Sequence, residues 1–308
     1  RFYLFSILGM RFFLKHIGKL ILIAFGISMV ISYGSLYFLR KSSFYKPSFL
    51  EQSVNEKEFD YIILGASTGL TTLNTKLIDS LINTEGLNLS MDDTAMSSQY
   101  LMLKHFLAQG KTTKLCVLAP NPSNFNTNNL KLSDNDYRFL PYASKSYVQE
   151  YYKQFSSTEA QMLYLSKWFP LLGVSYYNVE MFYPSLLSLI NPQKRNRFDD
   201  KGNYTYPKTK KNFKSISKKK ELYMSFKNDY VEKIKTLCEL KNIKLICYIS
   251  PIKNKSATTN TLDYIIVNHS DLLTSTDYFY DDIHVNYKGR KIASLNLANT
   301  LKNILQVK

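Results

Sequence analysis

Twenty consecutive residues, Leu20 to Leu39 (LILIAFGISMVISYGSLYFL), carry no charged side chain. At 1.5 Å rise per residue, a helix of that length matches the ~30 Å hydrocarbon core of a bilayer. The run predicts a transmembrane helix. Secretory signal peptides have apolar cores of about 7 to 15 residues followed by small residues at a cleavage site. This run is longer and leads into Tyr37, Phe38 and Leu39, so an uncleaved anchor is expected. Arg1, Arg11, Lys15 and Lys19 precede the span and Arg40, Lys41 and Lys46 follow it, a slight bias towards a cytoplasmic N-terminus. The chain divides into a segment with the anchor over residues 1–43, a polar linker containing Pro47 over 44–58, and one extracytoplasmic domain over 59–308.

The formal charge is +16, from 40 Lys+Arg against 24 Asp+Glu, yet hydrophobic residues make up 45% and aromatics 14%. That is enough apolar surface for a sizeable core and excludes a disordered polyelectrolyte, collagen or a coiled coil. The positive charge is local. Residues 1–43 hold six bases and no acid, and residues 191–220 hold eleven bases against Asp199 and Asp200. Two readings of the second cluster stay open. It is a solvated Lys-rich loop, or a patch around Lys208, Lys210, Lys211 and Lys214 for anionic lipid headgroups, an acidic envelope polymer or an acidic partner. Nucleic acid fits the charge but not a membrane-anchored export topology, and is not expected. Cys116, Cys238 and Cys247 are odd in number and sit in apolar surroundings, so they read as core hydrophobes rather than disulfides or zinc ligands.

Beyond the anchor, short apolar runs alternate with helical spacing. Strands are expected at Phe59–Leu64, Leu87–Met91, Lys114–Pro120 and Ile243–Ser250, and helices at Thr71–Ile82, Tyr100–Leu107, Tyr230–Leu240 and Gly289–Ile304. Such alternation predicts an α/β fold with a parallel sheet covered by helices on both faces. Between the third and fourth strands lies an insertion of about residues 121–242. Its stretch Ser146–Ile190, which contains Trp168, is patterned as helices. Its aromatics are expected to be mainly core, with a membrane-proximal lid as the alternative.

Gly65-Ala66-Ser67-Thr68-Gly69 satisfies G-x-S-x-G and falls between a buried strand and a helix, where a serine would stand exposed above the sheet. A serine nucleophile needs a base and a group to orient that base. Of the four histidines, only His284 has acids beside it, at Asp281 and Asp282. An acid three residues before a histidine in a loop can fold back onto ring Nδ1 and leave Nε2 to face the serine. No Walker A, dinucleotide fingerprint or metal-ligand spacing occurs, so no cofactor and no metal is implied.

A serine block after the first strand and a D-x-x-H block before the last helix together resemble the SGNH, or GDSL-like, hydrolase superfamily, whose fold is flavodoxin-like. Gly65-Ala66-Ser67 stands for the first block, with Ala66 where an Asp is usual, and Asp281-Asp282-Ile283-His284 stands for the last, followed by Asn286 and Gly289. The resemblance implies Ser67 as nucleophile, His284 as base and Asp281 as its orienting acid. It further implies an oxyanion hole from the Ser67 N–H and donors in two middle blocks. In this chain those blocks offer a backbone N–H near Asp93 or Thr94 in place of the usual glycine, and Asn121 or Asn124 in place of G-x-N-D. A single N-terminal anchor looks like the DltD-type and alginate-acetylation-type members. That implies transfer or removal of small acyl groups on a cell-envelope glycan at the bacterial cytoplasmic membrane, beside a multispan O-acyltransferase and in contact with membrane lipids. An inactive scaffold of the same fold, serving as a subunit of an envelope complex, is the alternative.

Overall fold

Five short apolar runs form one parallel sheet in the structure, a computed structural model that describes residues 2–126, 131–206 and 219–306. The first half holds α1 (Phe2–Arg40), α2 (Lys46–Gln52), β1 (Glu58–Gly65), α3 (Ser67–Thr72), α4 (Thr75–Ile82), β2 (Gly86–Asn88), α5 (Met96–Ala108) and β3 (Thr112–Ala119). The insertion contributes α6 (Ser146–Lys153), α7 (Thr158–Leu165), α8 (Pro170–Tyr176), α9 (Asn178–Ile190) and β4 (Lys220–Tyr223). Then follow α10 (Asp229–Leu240), β5 (Lys244–Ile249), β6 (Lys255–Thr258), β7 (Ile265–Asn268) and α11 (Tyr287–Leu305). The sheet order is β2-β1-β3-β5-β7, while β4 and β6 pair separately.

Side chains alternate between the two faces of a strand, so a parallel sheet apolar on both faces needs helices on both. Ile62, Leu64, Cys116, Leu118 and Ile249 join a core with α5, α10 and the insertion. Tyr61, Ile63, Leu115, Val117 and Tyr248 join another, closed by Ile78 and Ile82 of α4 and by Leu297 and Leu301 of α11. A one-residue slip would exchange the two sets, which is what fixes the register. All three cysteines are free and buried.

The first helix is long and apolar enough to cross a membrane, and Phe12, Leu20, Leu22 and Val30 on it are uncovered. Its last turns differ, with Ser32, Ser35 and Leu39 buried.

Four expectations are corrected. The supposed linker is part of the body: residues 42–50 are all buried, and α2 lies among them. Lys46 Nζ donates to the carbonyls of Asn88 and Gly202, and its burial pulls its pKa down to about 7. The expected helix 71–82 is broken at Leu73 and Asn74. There Arg290 of α11 donates to the Leu73 carbonyl at 2.9 Å and Ser294 Oγ accepts from the Asn74 N–H at 2.9 Å, so the last helix captures groups a continuous helix would use. Three strands, β4, β6 and β7, were not expected; each has only four residues, too few for a clear alternation. The insertion's aromatics divide: Phe139, Tyr142 and Tyr152 are core, but Trp168, Phe169 and Tyr183 are about half exposed.

Candidate active site

The chain leaves β1 at Gly65, turns through Ala66 and places Ser67 at the first position of α3. The two glycines of the motif are required by packing. A Cβ on Gly65 would lie 2.1 Å from the Ala119 carbonyl oxygen at the end of β3, and one on Gly69 would lie 2.6 Å from the same atom. Ser67 is therefore carried on a turn pressed against the neighbouring strand end, with little freedom to shift.

The second half of the site is a braced loop before α11. Asn286 caps that helix, its Oδ1 accepting from the N–H groups of Lys288 (2.9 Å) and Gly289 (3.3 Å). Its Nδ2 donates back to the carbonyls of Asp277 (2.7 Å) and Phe279 (3.2 Å). The Tyr280 N–H donates to the His284 carbonyl at 2.8 Å, closing the turn that holds Asp281 and His284. Within it, Asp281 Oδ1 accepts from the backbone N–H of Ile283 (2.8 Å) and of His284 (2.7 Å).

These two pieces, 217 positions apart in the sequence, meet: His284 Nε2 lies 2.8 Å from Ser67 Oγ, and His284 Nδ1 lies 2.8 Å from Asp281 Oδ2. Burial works against the charge on Asp281, but the hydrogen bonds from His284 and the two backbone N–H groups outweigh it and hold the carboxyl below its ordinary range. An ionised Asp281 keeps the proton on Nδ1 and leaves Nε2 to accept one from Ser67. The His284 side chain is 15% exposed.

Asp282 takes no part; it pairs with the buried Lys253 at 3.2 Å. The other histidines are occupied elsewhere. His105 lies 3.0 Å from the Pro47 carbonyl and 2.8 Å from the Tyr147 hydroxyl, and His269 lies 3.2 Å from the Tyr248 hydroxyl; burial lowers both pKa values to about 4.

A cleft of about 340 Å³ opens beside Ser67, beyond the carboxyl ends of β2, β1 and β3. Ligands of open parallel sheets bind at that end, at the point where the strand order reverses. Asp93 and Thr94 line it from one side, Asn121 and Asn124 from another. Thr94 Oγ1 is committed to the Met91 carbonyl at 2.7 Å, which leaves its backbone N–H as the group it can offer. Asn121 Oδ1 accepts from Ser123 Oγ at 3.0 Å, so its Nδ2 is the available donor. Asp93 has φ +50°, the left-handed conformation that a glycine adopts most easily. Its turn is held by Arg138, whose Nη1 donates to Asp92 at 2.6 Å, and by Asn135, which donates to the Asp92 carbonyl at 2.9 Å.

Sequence reasoning missed Arg138, and it missed Tyr206 and Tyr280, whose rings stack at 4.0 Å with Tyr206 lying 5.4 Å from the His284 ring. No local pattern marks any of the three, because each contact crosses a long stretch of chain. A larger cavity of about 850 Å³, lined by Tyr137, Phe155, Tyr176 and Glu180, shares residues 131–134 with the cleft as a common wall. Lys208, Lys210, Lys211 and Lys214 lie outside the described residues. No protein-family model and no curated protein matches the chain.

Proposed function

We propose that this protein is a membrane-anchored, SGNH-like serine acyltransferase or esterase. The observation that carries the reading is the unbroken relay Ser67 Oγ to His284 Nε2 and His284 Nδ1 to Asp281, with 2.8 Å at each step. Ser67 Oγ attacks the carbonyl carbon of an ester or thioester as its proton passes to His284 Nε2. The oxyanion that forms is met by the Ser67 N–H, the backbone N–H of Thr94 and the Asn121 amide. Collapse breaks the bond to the leaving oxygen or sulfur, which takes the proton from Nε2 and departs, leaving an acyl-serine. A glycan hydroxyl or water then gives its proton to His284 and attacks the acyl carbon, restoring Ser67.

The helix α1 spans the bacterial cytoplasmic membrane in this reading, with the body on the outer side. The substrate is a small acyl group, such as acetyl, moved onto or off a cell-envelope glycan. A multispan O-acyltransferase is the partner that would deliver it. The order of the two blocks along the chain and their placement at the carboxyl ends of a parallel sheet support this choice over other serine hydrolases.

The test is labelling of the full chain in native membranes with a fluorophosphonate, read by peptide mass spectrometry. An adduct on Ser67 that is lost in His284→Ala is expected. Absence of the adduct, or its persistence in His284→Ala, would overturn the enzyme reading in favour of an inactive scaffold.

A further inference from the structure

The α9 helix is apolar on its outer face, while its inner face mixes two serines with Met181 and Pro184. It buries Met181, Pro184, Ser185 and Ser188, whereas Val179, Phe182, Tyr183, Leu186, Leu189 and Ile190 face outward, from 40% to 81% exposed. A helix on a water-facing surface shows the reverse order. The buried serines pack on α1 and its exit. Ser185 Oγ donates to Ser35 Oγ at 3.2 Å, and Ser188 Oγ donates to Ser42 Oγ at 2.9 Å. Small residues with hydroxyls satisfied between helices are the packing used where lipid offers no hydrophobic drive.

The position of the span sets the depth of this surface. Seating the bilayer so that Ser32 to Leu39 stands in water would draw Lys15 and Lys19 into hydrocarbon, so the uncharged run 20–39 fixes where the membrane ends. Tyr33, whose hydroxyl donates to the Trp168 carbonyl at 3.3 Å, lies six residues before Leu39. That is about 9 Å inside the end of the span, within the roughly 5–10 Å at which interfacial helices bury their apolar faces. The thirteen residues of α9 extend about 20 Å, too short to cross the ~30 Å core. Lys41, Lys167 and Lys194 at its margins are exposed and suit anionic headgroups.

We propose that α9, with Trp168 and Phe169 ahead of α8, is a second membrane-binding element. It lies in the leaflet at the C-terminal end of α1 with its apolar face among the acyl chains. The proposal rests on α1 spanning the bilayer, which the same experiment reads separately.

Trp168 is the single tryptophan of the chain, so its emission reports this surface alone. The full chain is reconstituted in vesicles of phosphatidylcholine and phosphatidylglycerol containing no other protein. Flotation that survives alkaline carbonate reports the span. Lipids brominated at acyl carbons 6 and 7 are expected to quench at least about half of the Trp168 emission, more than lipids brominated at carbons 11 and 12, while aqueous acrylamide quenches little. Floating protein whose Trp168 is quenched by acrylamide and not by bromolipid would overturn the proposal, leaving the surface as a docking face for a protein partner. Failure to float would overturn the span and the proposal together.

Discussion

Asp281→Asn isolates the charge of the relay from its shape. The amide oxygen can still accept from the backbone N–H groups of Ile283 and His284, so the turn is kept and the melting temperature should move by only a degree or two. What disappears is the attraction between the carboxylate and the imidazolium formed when Ser67 loses its proton. At a charge separation of about 4 Å and an effective dielectric of about 20, that attraction is about 4 kcal/mol. The Asp281 side chain is 34% exposed, and water screens the figure to roughly 2–4 kcal/mol. At 1.36 kcal/mol per decade, the fluorophosphonate rate constant at Ser67 should fall by about 30- to 1,000-fold. The assay is a time course of adduct formation in native membranes, with wild type, Asp281→Asn and Ser67→Ala compared at equal protein level. Labelling within about threefold of wild type, less than 1 kcal/mol, would refute the assigned role of Asp281.

Two further outcomes follow from backbone shape and from burial. Asp93→Gly should stabilise the protein by about 0.5–1 kcal/mol, because glycine adopts φ +50° without steric cost, and should leave Ser67 labelling unchanged, because the backbone N–H groups remain. A tenfold or greater loss of labelling would show that the Asp93 carboxylate itself takes part. Asp136 is fully buried, and burial raises its pKa to about 6 against the hydrogen bonds it accepts from Ser98, Tyr151 and Ser133. A raised folded-state value means that its contribution to stability is present below the unfolded value near 4 and is lost as pH rises through about 6. The stability of wild type relative to Asp136→Asn, measured by denaturant unfolding of the full chain in detergent, should therefore fall between pH 4 and pH 7; a pH-independent difference would be inconsistent with that shift.

The parts of the site legible in the sequence were those whose function fixes a local spacing. A serine that must stand at a strand's end announces itself through Gly65 and Gly69, and an acid that must reach a ring nitrogen within one turn announces itself as Asp281 three residues before His284. Their meeting at 2.8 Å is not local; the sequence points to it by elimination, since His284 is the one histidine with acids beside it, and by the order of the blocks. The left-handed turn at Asp93 was hidden because an aspartate gives no sign of the conformation it accepts. The same holds for residues 42–50. Their polarity suggests solvent, but Lys46 is buried because two backbone carbonyls converge on its ammonium, and Ser42 and Ser48 because each hydroxyl finds a carbonyl three residues back.

Under the proposed function, the burial of residues 42–50 governs how such an enzyme would work at a membrane. A flexible leash would let a catalytic head sweep a hemisphere and meet acceptors at many heights. Here α1 passes straight into the packed body, since the Ser43 N–H donates to the Pro192 carbonyl at 2.7 Å and Phe49 and Leu50 are wholly enclosed. With α1 spanning a bilayer as proposed, the opening beside Ser67 would stand at one set height and heading above the lipid. On the proposed function, an acyl donor held at that height would meet the serine at high effective concentration, and a glycan strand elsewhere in the envelope would have to come down to it.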